Sequence, residues 1–156
     1  MTGPSEPIDP ISSGEPDEEG GMSAILARAQ AAVEGLAKDY TTWARADVER
    51  ARKALEAARS DPAQRARHVE DLFRVAHDLK GQGASFGYPL VTRIADSLCR
   101  LTRDRKLSYE ERHLDLAKSH LDAAQLVLTK EIKGEGGQVG AELCAKLQTR
   151  VDEILG

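Results

Sequence analysis

The sequence is poor in aromatics, which make up 4% of it, and it holds two cysteines, Cys99 and Cys144. A β-sandwich draws on more aromatic and β-branched residues than this. Two cysteines 45 positions apart, since 144 − 99 = 45, build neither a metal knuckle nor a disulfide framework, so a reducing, cytoplasmic setting is expected. No apolar run reaches about 20 residues, the length that crosses a bilayer, and no membrane partner is expected. The N-terminus lacks the basic-then-apolar pattern of a secretory signal. The net charge is -4, and residues 1–21 hold six acids and no Lys or Arg, leaving 20 acids against 22 bases in the remainder. Without a basic stripe, binding to nucleic acid by phosphate neutralisation is not expected.

What is present is a chain of 156 residues, 40% hydrophobic and 31% charged, rich in Ala and Leu. Pro4, Pro7, Pro10 and Pro16 fall in the acidic leader, which has too little apolar surface to offset its ordering entropy. Residues 1–21 therefore read as a disordered acidic tail before a helical domain at 22–156. In the segment 23–60, Leu26, Val33, Leu36, Tyr40 and Trp43 form one helical stripe and Val48, Ala51, Leu55 and Ala58 a second, with a slip near Asp39–Thr42 that suggests a bend or a break. This segment reads as an N-terminal extension, packing through Tyr40 and Trp43 or offering them as a dimer surface. Asp61-Pro62-Ala63-Gln64 looks like a helix restart, with Asp61 as N-cap and Pro62 at the first position.

A bundle core follows at 62–156. Val69, Leu72, Phe73, Ala76 and Leu79 line one helix, and Leu90, Ile94, Leu98 and Leu101 line another that starts at Pro89. Ser108-Tyr109-Glu110-Glu111 resembles a capping box. Leu114, Ala117, Leu121, Ala124 and Leu128 come next, and Val139, Leu143, Leu147, Val151 and Ile154 line a last helix after a Gly-rich loop. No segment alternates as a strand does. The expected fold is all-α, an antiparallel up-down four-helix bundle with an additional N-terminal helical segment.

One stretch breaks the pattern. Gly81, Gly83 and Gly87 fall in and just after the helix of His77, and each Gly inside a helix costs about 1 kcal/mol relative to Ala. Gly81 is one turn beyond His77 on the same face, leaving room over the imidazole, and Lys80 brings an ammonium to the same neighbourhood. A neutral imidazole is a competent nucleophile near neutral pH. An uncovered ring with a cation beside it suits an incoming phosphoryl group, whose charge Lys80 could offset.

His77-x-x-Lys80-Gly81 followed by Gly87, on the second helix of a bundle, resembles the histidine phosphotransfer (HPt) domains of bacterial phosphorelays over roughly residues 62–130. The resemblance implies that His77 is the phosphoacceptor, Lys80 stabilises the phosphate and Gly81 gives access to the ring. It implies exchange with an aspartate of response-regulator receiver domains, and a hybrid histidine kinase as a further partner. Mg²⁺ would sit on the receiver, leaving this chain no cofactor or metal of its own. Some relatives orient the histidine with a Gln on the third helix; the nearest position here is Cys99. Arg74, Gln82, Ser85, Phe86 and Arg93 are the expected partner contacts, with Phe86 equally readable as a core aromatic. No Gly-rich ATP-binding loop is present, so the chain is expected to be a phosphocarrier and not an autokinase. A monomer, or a dimer through the N-terminal helix, is expected. Two other readings stay open: a non-catalytic adaptor that binds a receiver, and a metal-dependent hydrolase signalled by His77-Asp78, for which His68, His113 and His120 would have to converge.

Overall fold

The computed structural model describes residues 14–156, with side chains from Gly20 onward apart from position 37. The described residues form five α-helices: α1 (Gly14–Ser60), α2 (Arg65–Gly83), α3 (Pro89–Thr102), α4 (Glu111–Thr129) and α5 (Gly137–Leu155). Among the described residues there is no strand, and the fold is all-α. The chain divides into two compact units, Met1–Lys38 and Asp39–Gly156.

In the second unit, α3 packs against α2, α4 and α5 and is the central element. Its sequence explains this: Leu90, Val91, Ile94, Leu98 and Leu101 are all buried, and each such side chain contributes about 1.5–3 kcal/mol. α2 and α3 form an antiparallel hairpin, since Gly83 meets Tyr88 and Thr92 while Lys80 meets Asp96. α5 runs parallel to α3, with Leu90 beside Gly136 and Gly140 and Arg100 paired to Asp152. The C-terminal half of α1 lies antiparallel to α4. Arg52 donates to Gln125 (3.0 Å) and pairs with Asp122 (2.8 Å), and Arg59 pairs with Asp115 (2.8 Å) and Glu111.

That half of α1 belongs to the core. Tyr40, Ala44, Val48, Ala51, Leu55 and Ala58 are buried, so the compact unit begins near Asp39 and not at Pro62. The helix does not break at Asp39–Thr42, as α1 is helical through that stretch. Residues 14–21 lie in α1, not in a disordered tail, and 1–13 lie outside the described residues. Of the first stripe only Tyr40 is buried; Leu26, Val33, Leu36 and Trp43 are at least half exposed, and Val139 in α5 is 78% exposed. In the rest of α5, Leu147 and Val151 are buried and Leu143 and Ile154 half-buried against the core as expected, and Gly140 and Cys144 are buried with them.

Two helix starts differ from expectation. Asp61 makes no cap hydrogen bond; Pro62–Gln64 forms a 3₁₀ turn, and the Asp61 carboxylate meets His68 Nε2 at 3.2 Å. At α4 the capping box belongs to Glu110 and His113, two residues past Ser108. His113 Nδ1 accepts from the Glu110 N–H at 2.9 Å. His120 is fully buried between α3 and α4. Its Nδ1 donates to the Leu116 carbonyl (2.7 Å), so its Nε2 accepts from the Ser97 hydroxyl (2.9 Å). Burial pushes the pKa of both rings down, which keeps the neutral form these hydrogen bonds require.

Candidate functional site

α2 is pinned by Val69, Leu72, Val75, Ala76 and Leu79, all buried. His77 follows Ala76 by 100° of helical rotation, which carries it off the buried stripe, and its side chain is exposed. Its ring lies 6.0 Å from the Phe73 ring, centre to centre, at 38°. No hydrogen bond holds the imidazole among the described residues. Asp78 is exposed beside it.

The glycines around this ring have different jobs. A Cβ placed on Gly81 would meet nothing within 4 Å, so nothing inside the fold demands glycine there. A Cβ on Gly83 would lie 2.6 Å from Thr92 Oγ1 and 2.9 Å from both Thr92 N and Tyr88 O. Gly83 is therefore required by the close approach of α2 to α3. Gly87 adopts φ +89°, the left-handed conformation that ends the 3₁₀ turn Ala84–Phe86.

The end of α2 is fastened by one side chain. Thr92 Oγ1 donates to the Lys80 carbonyl (3.2 Å) and accepts from the Ala84 N–H (2.8 Å). Beneath this turn Phe86 stacks on Tyr40 (5.0 Å, 8°), and Tyr40 also meets Tyr88 (5.6 Å). Tyr40, Phe86 and Tyr88 are half of the six aromatics in the chain, which has three Tyr, two Phe and one Trp. They seat the turn on the core just past His77.

Lys80 is exposed, and its Nζ lies 2.9 Å from Asp96 Oδ1 on α3. The hydrogen bond and charge of Asp96 push the lysine pKa up, so it is a full cation. Cys99, one turn further along α3, is 5% exposed, and burial pushes its thiol up to about 11. It is a small apolar group here, with little acidity at neutral pH.

The expected partner contacts do not all gather on one face. Arg74, Gln82 and Ser85 are exposed with His77 along α2 and the turn after it; Arg74 pairs with Glu70 at 2.7 Å. One face of the half-buried Phe86 ring is covered by Tyr40. Arg93 points the other way, with its guanidinium 3.8 Å from Glu135 before α5. Three residues escaped the sequence reading: Asp96, Thr92 and, as a neighbour of His77, Phe73. The hairpin register of α2 against α3 is the signal that would have found the first two. Among the described residues no three His, Cys, Asp or Glu side chains come together as a metal site. His68 turns to Asp61, while His113 and His120 are buried in α4.

The sequence profile of the Hpt domain matches residues 35–127, more than half of the chain. The chain belongs to the Hpt domain family, whose members are phosphocarriers in two-component signalling and interact with receiver domains and kinases. Comparisons with curated proteins and with solved structures each return no match. The matched stretch begins at Gly35, which again sets the C-terminal half of α1 inside the domain. Among the described residues no helix is long and apolar enough to cross a membrane.

Proposed function

We propose that His77 carries a phosphoryl group between aspartates of response-regulator receiver domains. The observation that carries this reading is the uncovered ring on α2, with open space over Gly81 one turn away. The imidazole nitrogen holding the lone pair attacks phosphorus as the P–O bond to the receiver aspartate breaks. The aspartate leaves as a carboxylate, the N–P bond forms, and the second ring nitrogen keeps its proton. Return to a second receiver reverses each step.

Lys80 lies one turn along the same helix and supplies positive charge to the phosphoryl oxygens. Its ammonium rests on Asp96 at 2.9 Å, so transfer exchanges one anionic partner for another. The pair is solvent-exposed, so this exchange is inexpensive. The Mg²⁺ of the reaction is assigned to the receiver, and a hybrid kinase is the upstream source of phosphate. Arg74, Gln82 and Ser85 are the contacts best placed for the docked receiver, being exposed on α2 and its following turn.

A binding-only adaptor is favoured by one observation: no hydrogen bond orients the His77 ring among the described residues. One experiment separates the two readings. The chain is incubated with a receiver domain phosphorylated on its aspartate, and wild type is compared with His77→Ala. Label moving to an acid-labile, base-stable adduct on the wild type alone supports transfer. Binding of the receiver with no label on either chain sinks the carrier reading and leaves the adaptor.

A further inference from the structure

The N-terminal half of α1 carries an apolar face that no described residue of its own compact unit covers. Met22, Ile25, Leu26, Val33 and Leu36 are 58%, 53%, 60%, 64% and 50% exposed. Met22, Leu26, Ala29, Val33 and Leu36 follow one another at steps of four and three. That is a repeat of 3.5 residues per turn, which keeps an apolar seam straight along one partner helix. Ser23 and Gln30 flank the seam on one side, and Ile25 and Ala32 on the other. Between Met22 and Leu36 the only charges are Arg28 and Glu34, both on the opposite face.

We infer that residues 22–36 of α1 pair with the same segment of a second copy of this chain as a two-stranded coiled coil. Three features favour a second copy. The seam and its flanks hold no charge, so identical helices laid together meet no like-charged pair, in either direction. The four large side chains of the seam, Met22, Leu26, Val33 and Leu36, are each at least half exposed, a patch smaller than the roughly 800 Å² per partner of a standard interface and of the size of a modest one. A membrane-surface helix needs a polar face rich in Lys and Arg, and here one Arg is balanced by one Glu. The inference does not depend on the chemistry of His77.

The test is sedimentation equilibrium of the full chain, under reducing conditions, from low micromolar to submillimolar concentration. A monomer–dimer equilibrium is expected. The double variant Leu26→Glu, Val33→Glu should raise its dissociation constant about tenfold or more, with the thermal unfolding of dilute protein unchanged. Ala29→Cys should form an intermolecular disulfide on mild oxidation, beyond any seen in wild type, because the position lies on the seam. A wild type that stays monomeric throughout overturns the inference, whether or not the chain binds vesicles of anionic lipid. So does a dimer whose dissociation constant the double variant leaves unmoved.

Discussion

The two halves of α1 are written in the same alphabet and meet different fates. From Asp39 to Ser60, Tyr40, Ala44, Val48, Ala51, Leu55 and Ala58 are buried in the bundle core. From Met22 to Leu36 an apolar stripe of larger side chains is at least half exposed. The buried half has small residues at three of its six inward positions, and small residues let helices approach closely. The exposed half presents Met, Ile, Leu and Val. Periodicity thus says that a face will be covered, while side-chain size and the flanking residues say by what.

Matched charges placed on the two stripes give the largest effect. Leu55→Asp buries a carboxylate with no partner and should cost about 4 kcal/mol or more. Leu26→Asp should leave dilute protein within about 0.5 kcal/mol of wild type by urea unfolding. Equal losses would mean that both halves are core.

The same contrast recurs at the end of α2, where Gly83 packs and Gly81 does not. Gly83→Ala should destabilise by about 2 kcal/mol through overpacking against Thr92 and Tyr88. Gly81→Ala should be neutral or stabilise by up to about 1 kcal/mol. Gly81→Leu should keep helicity, by circular dichroism, and lower transfer from a phosphorylated receiver about a hundredfold by displacing the docked partner. Normal relay by that variant would remove the argument for open approach.

Acid sharpens the difference between core and surface. His113 and His120 have pKa values below the ordinary 6.5 because they are buried. The unfolded chain then binds more protons than the folded one, and stability rises with pH. Their contribution is complete above the ordinary histidine value and is lost as pH falls below it toward their folded values. Urea midpoints should drop from about pH 7.5 to about pH 5.5; midpoints flat over that range would show that neither ring needs to be neutral. The smallest effect belongs to Asp96→Asn, which releases Lys80. Stability should not change measurably, and the transfer rate should rise a few-fold at most, read in a quenched-flow assay.

Much of this was legible in the residues. The inward positions of α3 and α4 follow from spacing alone, because both helices are packed along their length and their stripes are unbroken. The His77, Lys80 and Gly81 grouping was legible because glycine inside a helix contradicts its own propensity. Asp61 looked like a cap and is not one, because Pro62 opens a 3₁₀ turn and the carboxylate is taken by His68. Ser108 lost the capping role to Glu110, whose partner is a histidine where the usual pattern has Glu or Gln. Gly83 and Asp96 could not be read, since a close approach and a cross-helix ion pair depend on the α2–α3 register and not on either helix by itself. The stripe of Leu26 and Val33 was legible as a stripe, but its exposure was not, for the reason the two halves of α1 illustrate.

The Thr92 hydroxyl ties the last turn of α2 to the first residue beyond it through a single oxygen that both gives and receives. Valine has nearly the same shape but can do neither, so that replacement would leave this amide and this carbonyl to water and loosen the turn. One oxygen of α3 thus joins the buried stripe of α2 and the aromatic seat of the turn in setting how the chain leaves the helix just past His77. Under the proposed function, a change at Thr92 would reshape the turn beside the docked receiver while leaving His77 itself untouched.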